Sequence, residues 1–433
     1  MFRTRQIALL YSPTTGLYLS QIAHSLLPSE RTRYQTVNMA SFDIDPRSIW
    51  QLLAGTFLLY AVYYFHWQLT VGANRRRMIK ENGCKPIKHH PGLNSLAERL
   101  FSTRVVRENI KSFKEHKLLE AAYNRFQKYG NTFEGNLLST KAIHTIEPDI
   151  LKTMLATKFK DWNLPDRRKS AFFPLLGHGI FTTDGAAWQH SRDLLRPNFT
   201  RSQVGDLATF EDHISQLINR IPKDGSTVNL QELFFRLTID SATEFLFGES
   251  TNSLAPNTSS ETPARFAEAF NRSQEFTGEV ARNGLIMKFF SKKNFNRDVK
   301  YVHDFVDRYV QRRLETRKTS DLEKANAKEE GERYVFLNEL VKQTSDPIHI
   351  RSELLNILLA GRDTTASLLS NVWFILARRP DIWEKLQAEV SQLQGGLPTF
   401  AQIKEMKYLK QVLNEGKNYT PPCVINYIYI LLT

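Results

Sequence analysis

Between Asp346 and Pro380 the chain carries a long apolar run with a polar middle, and this run limits the folds open to it. Asp346 suits a helix N-cap, Pro347 a first turn and Pro380 a stop, so one helix is predicted over 347–379. Leu354, Leu355, Ile357, Leu358 and Leu359 lead to its centre; Leu368, Leu369, Val372, Phe374 and Ile375 lead away. A helix apolar this far around belongs inside a core of other helices. Yet its centre reads Ala360-Gly361-Arg362-Asp363-Thr364-Thr365. The glycine alone costs about 1 kcal/mol, and threonine hydroxyls bond back to the i−4 carbonyl and bend the helix. A titratable group where a local rule is broken marks a candidate site. A polar stripe satisfied by neighbouring helices accounts for the pattern equally well.

A second segment runs from Gly179-Ile180-Phe181-Thr182-Thr183-Asp184-Gly185 through Trp188 and Arg192 to Leu194-Leu195-Arg196-Pro197-Asn198-Phe199. Trp188 and Arg192 are four apart and share a helix face. Their indole N–H and guanidinium can donate to one carboxylate, or form a plain cation–π pair.

Ala-Gly-x-Asp-Thr-Thr on a long central helix resembles the oxygen-binding helix of the cytochrome P-450 monooxygenases. The resemblance implies that Ala360 and Gly361 leave a groove for O2 over haem b. It also implies that Asp363 and Thr364 hold water and deliver protons, and that Trp188 and Arg192 grip a haem propionate. Proton delivery inside a pocket that excludes bulk water suits O–O cleavage. The segment around Trp188 resembles the fungal branch that hydroxylates n-alkanes and fatty acids at the chain terminus. So do Phe234-Phe235-Arg236-Leu237-Thr238-Ile239-Asp240, Phe245-Leu246-Phe247-Gly248-Glu249-Ser250, and Tyr408-Leu409-Lys410 with Asn414-Glu415. The implied fold is mainly α with a small β-sheet (α+β). The implied partners are an NADPH-dependent flavoprotein reductase, a lipid bilayer and a long-chain hydrophobic substrate.

The likeness runs from Lys88 to Glu415 and then stops. The family's E-x-x-R arginine position holds Asn418, and no later segment carries the F-x-x-G-x-x-x-C-x-G loop that supplies the iron's thiolate. The chain has two cysteines: Cys84, in a basic stretch, and Cys423, after Pro421-Pro422. Both read as free thiols rather than haem ligands, so no metal ligand is assigned. Residues 416–433 read as an aberrant tail, of the kind an intron read through from Gly416-Lys417 would give. The alternative function is therefore a truncated, inactive, membrane-anchored fragment.

The formal charge of +13 raises nucleic acid as a partner. Lys and Arg are spread along the chain without a finger, RNP or zipper signature, so no nucleic acid is expected. A membrane and an acidic redox partner account for the excess better, with Arg196 and Arg201 as candidate docking residues. No charged residue lies from Ser48 to Asn74; Ile49 to Phe65 is apolar and aromatic, and Arg75, Arg76 and Arg77 follow. This predicts a single-pass anchor over 48–68 with the following chain cytosolic; the resemblance implies the endoplasmic reticulum membrane and a cytosolic catalytic domain. The expected organisation is an N-terminal extension over 1–47, with Met39 an alternative start, the anchor, a basic linker over 69–92, and an incomplete catalytic domain over 93–415.

Within the body, Thr132 to Leu138 and Lys141 to Thr145 read as two short strands, and His89-His90 as a solvated turn. Val299, Val302, Phe305, Val306, Tyr309 and Val310 trace a core-facing stripe. Leu285-Ile286-Met287 and Phe289-Phe290, followed by Lys292-Lys293, read either as core packing or, as the resemblance implies, as a loop dipping into the bilayer. Asn252 to Pro263 reads as an exposed loop, Asp321 to Arg333 as a charged connector, and Gly395-Gly396 as a helix break. The sequons at Asn198, Asn257 and Asn271 are expected to be unused.

Overall fold

The computed structural model describes residues 46–85, 87–89, 103–115, 117–137, 140–199, 207–255, 261–283, 287, 291–323 and 334–419. Its contacts divide the chain at Lys85 and Pro86 into two units. Residues 1–45, His90, Arg201, Asn257, Leu285, Ile286, Phe289, Phe290 and Cys423 lie outside the described residues. So do the charged connector beyond Glu323 and the tail beyond Tyr419.

In the first unit, α1 (Pro46–Trp67) runs through a wide turn at Gln68–Gly72 into α2 (Ala73–Glu81). α1 exposes apolar side chains on every side, Trp50, Leu53, Phe57, Leu58 and Val62 among them. The helix forms where the anchor was expected, but no helix among the described residues is long and apolar enough to cross a membrane. The physical reason lies in the sequence. Gln51, Gly55, Thr56, Tyr60, Tyr63, Tyr64 and His66 interrupt the aliphatic run, so the single-pass span over 48–68 is not met.

The second unit is mostly helical with a small sheet. Its elements begin with β1 (Lys88–His89), α3 (Thr103–Lys114), α4 (Leu118–Tyr129), β2 (Thr132–Leu137), β3 (Thr140–Thr145) and α5 (Pro148–Lys152). Next come α6 (Asp166–Leu176), α7 (Gly185–Leu195), α8 (Ala208–Asn219), α9 (Leu230–Phe247), α10 (Glu261–Asn283) and α11 (Lys293–Glu323). The series closes with α12 (Phe336–Gln343), α13 (Pro347–Leu376), α14 (Pro380–Val390), α15 (Phe400–Glu405) and α16 (Lys407–Tyr419). The expected hairpin pairs antiparallel, Thr132 against Thr145 through Leu137 against Thr140. The sheet has a third strand: Lys88 and His89 pair in parallel with Phe133 and Glu134, which corrects the expectation of a turn at His89. Two residues are too few for an alternating pattern to show in the sequence.

The core lies where α9 runs along α13 and α10 and α11 pack together, with α6 and α12 filling in. Phe266, Phe270, Phe336, Leu354 and Leu355 are fully buried, each worth roughly 1.5–3 kcal/mol of transfer free energy. The stripe on α11 is core as expected: Val302, Val306 and Val310 are wholly buried, and Tyr309 stacks on Phe247. A smaller cluster of Leu217, Phe234, Leu254 and Ala366 sits beside the later half of α13. Met287 is buried, so this residue of the expected bilayer loop packs inward. Asn198 is buried too, its side-chain amide donating to Leu194 O at 2.9 Å, which leaves that sequon inaccessible.

Several turns follow from single residues. Gly248 closes α9 with φ +82°, a conformation glycine adopts without strain. The loop that follows is held by the buried Asp240 carboxylate: Thr251 Oγ1 (2.6 Å) and Ser253 N (2.8 Å) donate to Oδ1, and Leu254 N (2.9 Å) donates to Oδ2. Gln394 and Gly395, both at positive φ, end the helical stretch after Pro380. Glu389 then accepts from Tyr408 N and Leu409 N, both at 2.8 Å, and satisfies first-turn N–H groups of α16.

Candidate functional site

The polar centre of α13 begins with how the helix is started and where it stops. Asp346 Oδ1 accepts from Ile348 N at 2.9 Å and His349 N at 3.3 Å, the N-cap its sequence suggested. The helix ends at Leu376, three residues before the expected boundary, and Pro380 opens α14 rather than merely blocking α13. Burial is not uniform around it. Ile350, Leu354, Leu355 and Leu358 are fully buried, while Trp373 and Phe374 are exposed.

At the centre, Arg362 and Ala366 face the core, and Gly361 and Thr365 are exposed on the other side. A Cβ at Gly361 would meet no atom within 4 Å, so the glycine makes a shallow open stretch of wall. Thr364 is half-buried and donates its hydroxyl to Ala360 O at 2.8 Å, the i−4 bond expected of it. Arg362 Nη1 donates to Asp363 Oδ1 at 2.9 Å, and Gln274 Nε2 of α10 donates to Asp363 Oδ2. The Arg362 guanidinium lies over Phe235 at 5.1 Å and Phe270 at 5.8 Å. Burial lowers its pKa from the ordinary value, and the neighbouring Asp363 carboxylate opposes that shift.

α7 and the loop before it reach α13 further toward its N-terminus. The loop backbone lies directly on the helix: a Cβ at Gly177 would come within 2.2 Å of Ser352 Oγ, and one at Gly179 within 2.3 Å of Asn356 Nδ2. Asn356 is wholly buried and clamps this loop, accepting from Phe181 N at 3.0 Å and donating to Leu176 O at 3.1 Å. Thr182 Oγ1 closes the turn internally through Gly177 O and Gly179 N. On α7, the Arg192 guanidinium sits 5.4 Å over the Trp188 ring, with Phe159 against the indole at 4.9 Å. The pair shares a face and forms the cation–π contact. Arg192 is exposed, so its donors face solvent.

Below the loop, Glu353 is fully buried and burial pushes its carboxyl pKa up to about 7. Ser191 and Ile180 N–H pull weakly the other way, without reaching hydrogen-bonding geometry at either oxygen. His349 lies 3.9 Å from it and stacks on His190 at 5.6 Å; burial, first, and His190, second, lower the His349 pKa. Asn356 and Glu353 were not foreseen, although Ser352/Asn356 and His349/Glu353 are both i, i+4 pairs on an apolar helix. Gln274 left no signal at all, since its partner is 89 residues away.

A haem is a flat ring with two carboxylates on one edge, and two features fit it: the open wall at Gly361 and a Trp188/Arg192 face that can donate to an anion. An axial thiolate is a different matter. Among the described residues of the second unit there is no cysteine, and Cys84 is exposed in the first.

The body is thus helical with a small sheet, and its long central helix runs unbroken through Gly361, Asp363 and Thr364. The cytochrome P450 family model matches residues 104–426. Cytochrome P450 52A5 of Candida maltosa is 45% identical over 316 residues, covering 68% of this chain and 58% of that protein. Cytochrome P450 monooxygenase himC of Aspergillus japonicus is 39% identical over 345 residues, 78% of this chain and 60% of its own. Cytochrome P450 52A12 of Debaryomyces hansenii is 40% identical over 351 residues, 76% and 66% respectively. The chain belongs to the cytochrome P450 family, and it spans about 60% of the length of himC, a relative named as a monooxygenase.

Proposed function

We propose that this chain is the larger part of a haem-thiolate monooxygenase that inserts one oxygen atom of O2 into a terminal C–H bond of a long-chain alkane or fatty acid. The observation that carries the reading is the centre of α13: an open glycine beside a threonine bonded to its own helix and a carboxylate held by two donors. The haem supplies oxygen activation when bound. Trp188 and Arg192 would hold its propionate, and Ala360 and Gly361 would leave room above it. Thr364 and Asp363 would hold water and hand on protons at Oγ1 and the carboxylate oxygens. The similarity to two 52A proteins supports an aliphatic substrate, and electrons would come from NADPH through a flavoprotein reductase docking near the exposed Arg196. The exposed apolar surface of α1 and the arginines of α2 support attachment to the endoplasmic reticulum membrane, with 93–415 as the catalytic domain on the cytosolic side.

Membranes carrying this chain completed by a cysteine-bearing loop, supplied with reductase and NADPH, are expected to convert hexadecane or palmitate to the terminal alcohol. No product from either substrate overturns the assignment. The cysteine-free described part of the second unit favours a second reading, a membrane-tethered chain without catalysis. A reduced carbon-monoxide difference spectrum separates the two. A thiolate-haem band supports the oxygenase, and its absence supports the tethered chain.

A further inference from the structure

Asp363 stands between two flanks of α13. At about 100° per residue, its side chain leaves the helix midway between buried Arg362 and half-buried Thr364. Both carboxylate oxygens are engaged by residues other than Thr364: Oδ1 by Arg362 Nη1 at 2.9 Å, and Oδ2 by Gln274 Nε2, while the Thr364 hydroxyl donates to Ala360 O. Arg362 belongs to the same helix as Asp363, and its guanidinium lies over Phe235 of α9 and Phe270 of α10. Gln274 belongs to α10, which packs chiefly on α11 and α6 and meets the centre of α13 through side chains such as Phe270 and Gln274.

We propose that Gln274 is a positioning residue: its amide ties α10 to the Asp363 carboxylate and keeps that acid on the Arg362 flank, so the acid turns toward Thr364 only when α10 releases it. This rests on the reading of Asp363 as a proton-delivering group. Two further features suit a helix with a second arrangement. Gln274 is neutral, so release gives up a hydrogen bond and separates no ion pair. On either side of it, Ser273 and Thr277 bury hydroxyls that have no hydrogen-bond partner, a costly state that a shift of α10 can relieve.

Hydrogen exchange on the full chain tests the tie without depending on turnover. Gln274→Met keeps the length and removes the donor, and Gln274→Glu sets a second carboxylate against the first. Both are expected to speed exchange at 359–366 about fivefold, the equivalent of one ordinary hydrogen bond. Asp363→Ala should speed exchange at 270–278, and the Gln274→Met/Asp363→Ala double variant should add nothing further. In turnover, Gln274→Met should change the ratio of peroxide to product about fivefold, and that change should vanish in the Asp363→Ala background. Unaltered exchange at 359–366 in both Gln274 variants overturns the proposal. So does a peroxide ratio that shifts equally with and without Asp363, which would make Gln274 a simple brace. If the parent completed by a cysteine-bearing loop makes no product, the oxygenase reading fails, while the exchange experiment still decides whether the tie exists.

Discussion

Glu353 and Thr364 are eleven positions apart on one helix and hold opposite lessons about single residues. Thr364 was legible because its neighbours are the wrong residues for an apolar helix, and its hydroxyl bonds to Ala360 O as that pattern implies. In the chain completed by a cysteine-bearing loop, Thr364→Ala is expected to keep electron consumption while product falls about a hundredfold and peroxide rises, the lower end of the usual range for losing a proton-transfer group. Unchanged coupling would remove Thr364 from its role. Glu353 gave no such warning, because only burial makes it unusual. Its folded-state pKa of about 7 lies above the ordinary 4.5, so the folded chain keeps the proton longer than the unfolded one. The neutral acid's contribution is complete below about pH 4.5 and is lost as pH rises to about 7, some 3 kcal/mol in all. His349, lowered by burial, runs the opposite way, so the informative comparison is between variant and parent. Glu353→Gln should match the parent in urea near pH 4.5 and exceed it by up to about 3 kcal/mol at pH 8. A constant difference across that range would show that the carboxyl does not titrate in the fold.

At the scale of elements, α13 and the loop over Gly177 to Thr183 act as one piece. Gly179 of the Gly-Ile-Phe-Thr string presses against Asn356, and Gly177 just before it against Ser352, where any Cβ would collide. Asn356 completes the joint with bonds to Phe181 N and Leu176 O. Asn356→Ala leaves a buried donor and a buried acceptor unpaired and should cost about 2–4 kcal/mol in urea unfolding, together with faster proteolysis at 177–183. A loss below about 0.5 kcal/mol would mean that the loop stays in place by packing alone. The helix and hairpin positions were readable from spacing and caps, whereas the third strand at Lys88 was not. A two-residue strand exists only because Phe133 and Glu134 offer it an edge.

For the molecule as a whole, both core clusters draw only on residues of the second unit. α1 meanwhile exposes its apolar side chains. Removing residues 46–67 should therefore leave the thermal midpoint of the remaining chain unchanged and abolish its sedimentation with phospholipid vesicles. A lower midpoint would reveal that α1 supports the core, and retained sedimentation would move lipid contact elsewhere.

By itself, the sequence determined the long helix, its cap at Asp346, its polar centre, the paired Trp188 and Arg192, and the family they belong to. All of these rest on neighbours within a few turns, where chemistry and spacing are written in the chain. Tertiary structure alone decided that Gln274 holds Asp363, that Asn356 clamps a loop some 175 residues earlier, and that Glu353 is sealed from water. The physical reason is common to all three: hydrogen bonding and desolvation depend on which distant side chains arrive, and no local pattern records their arrival.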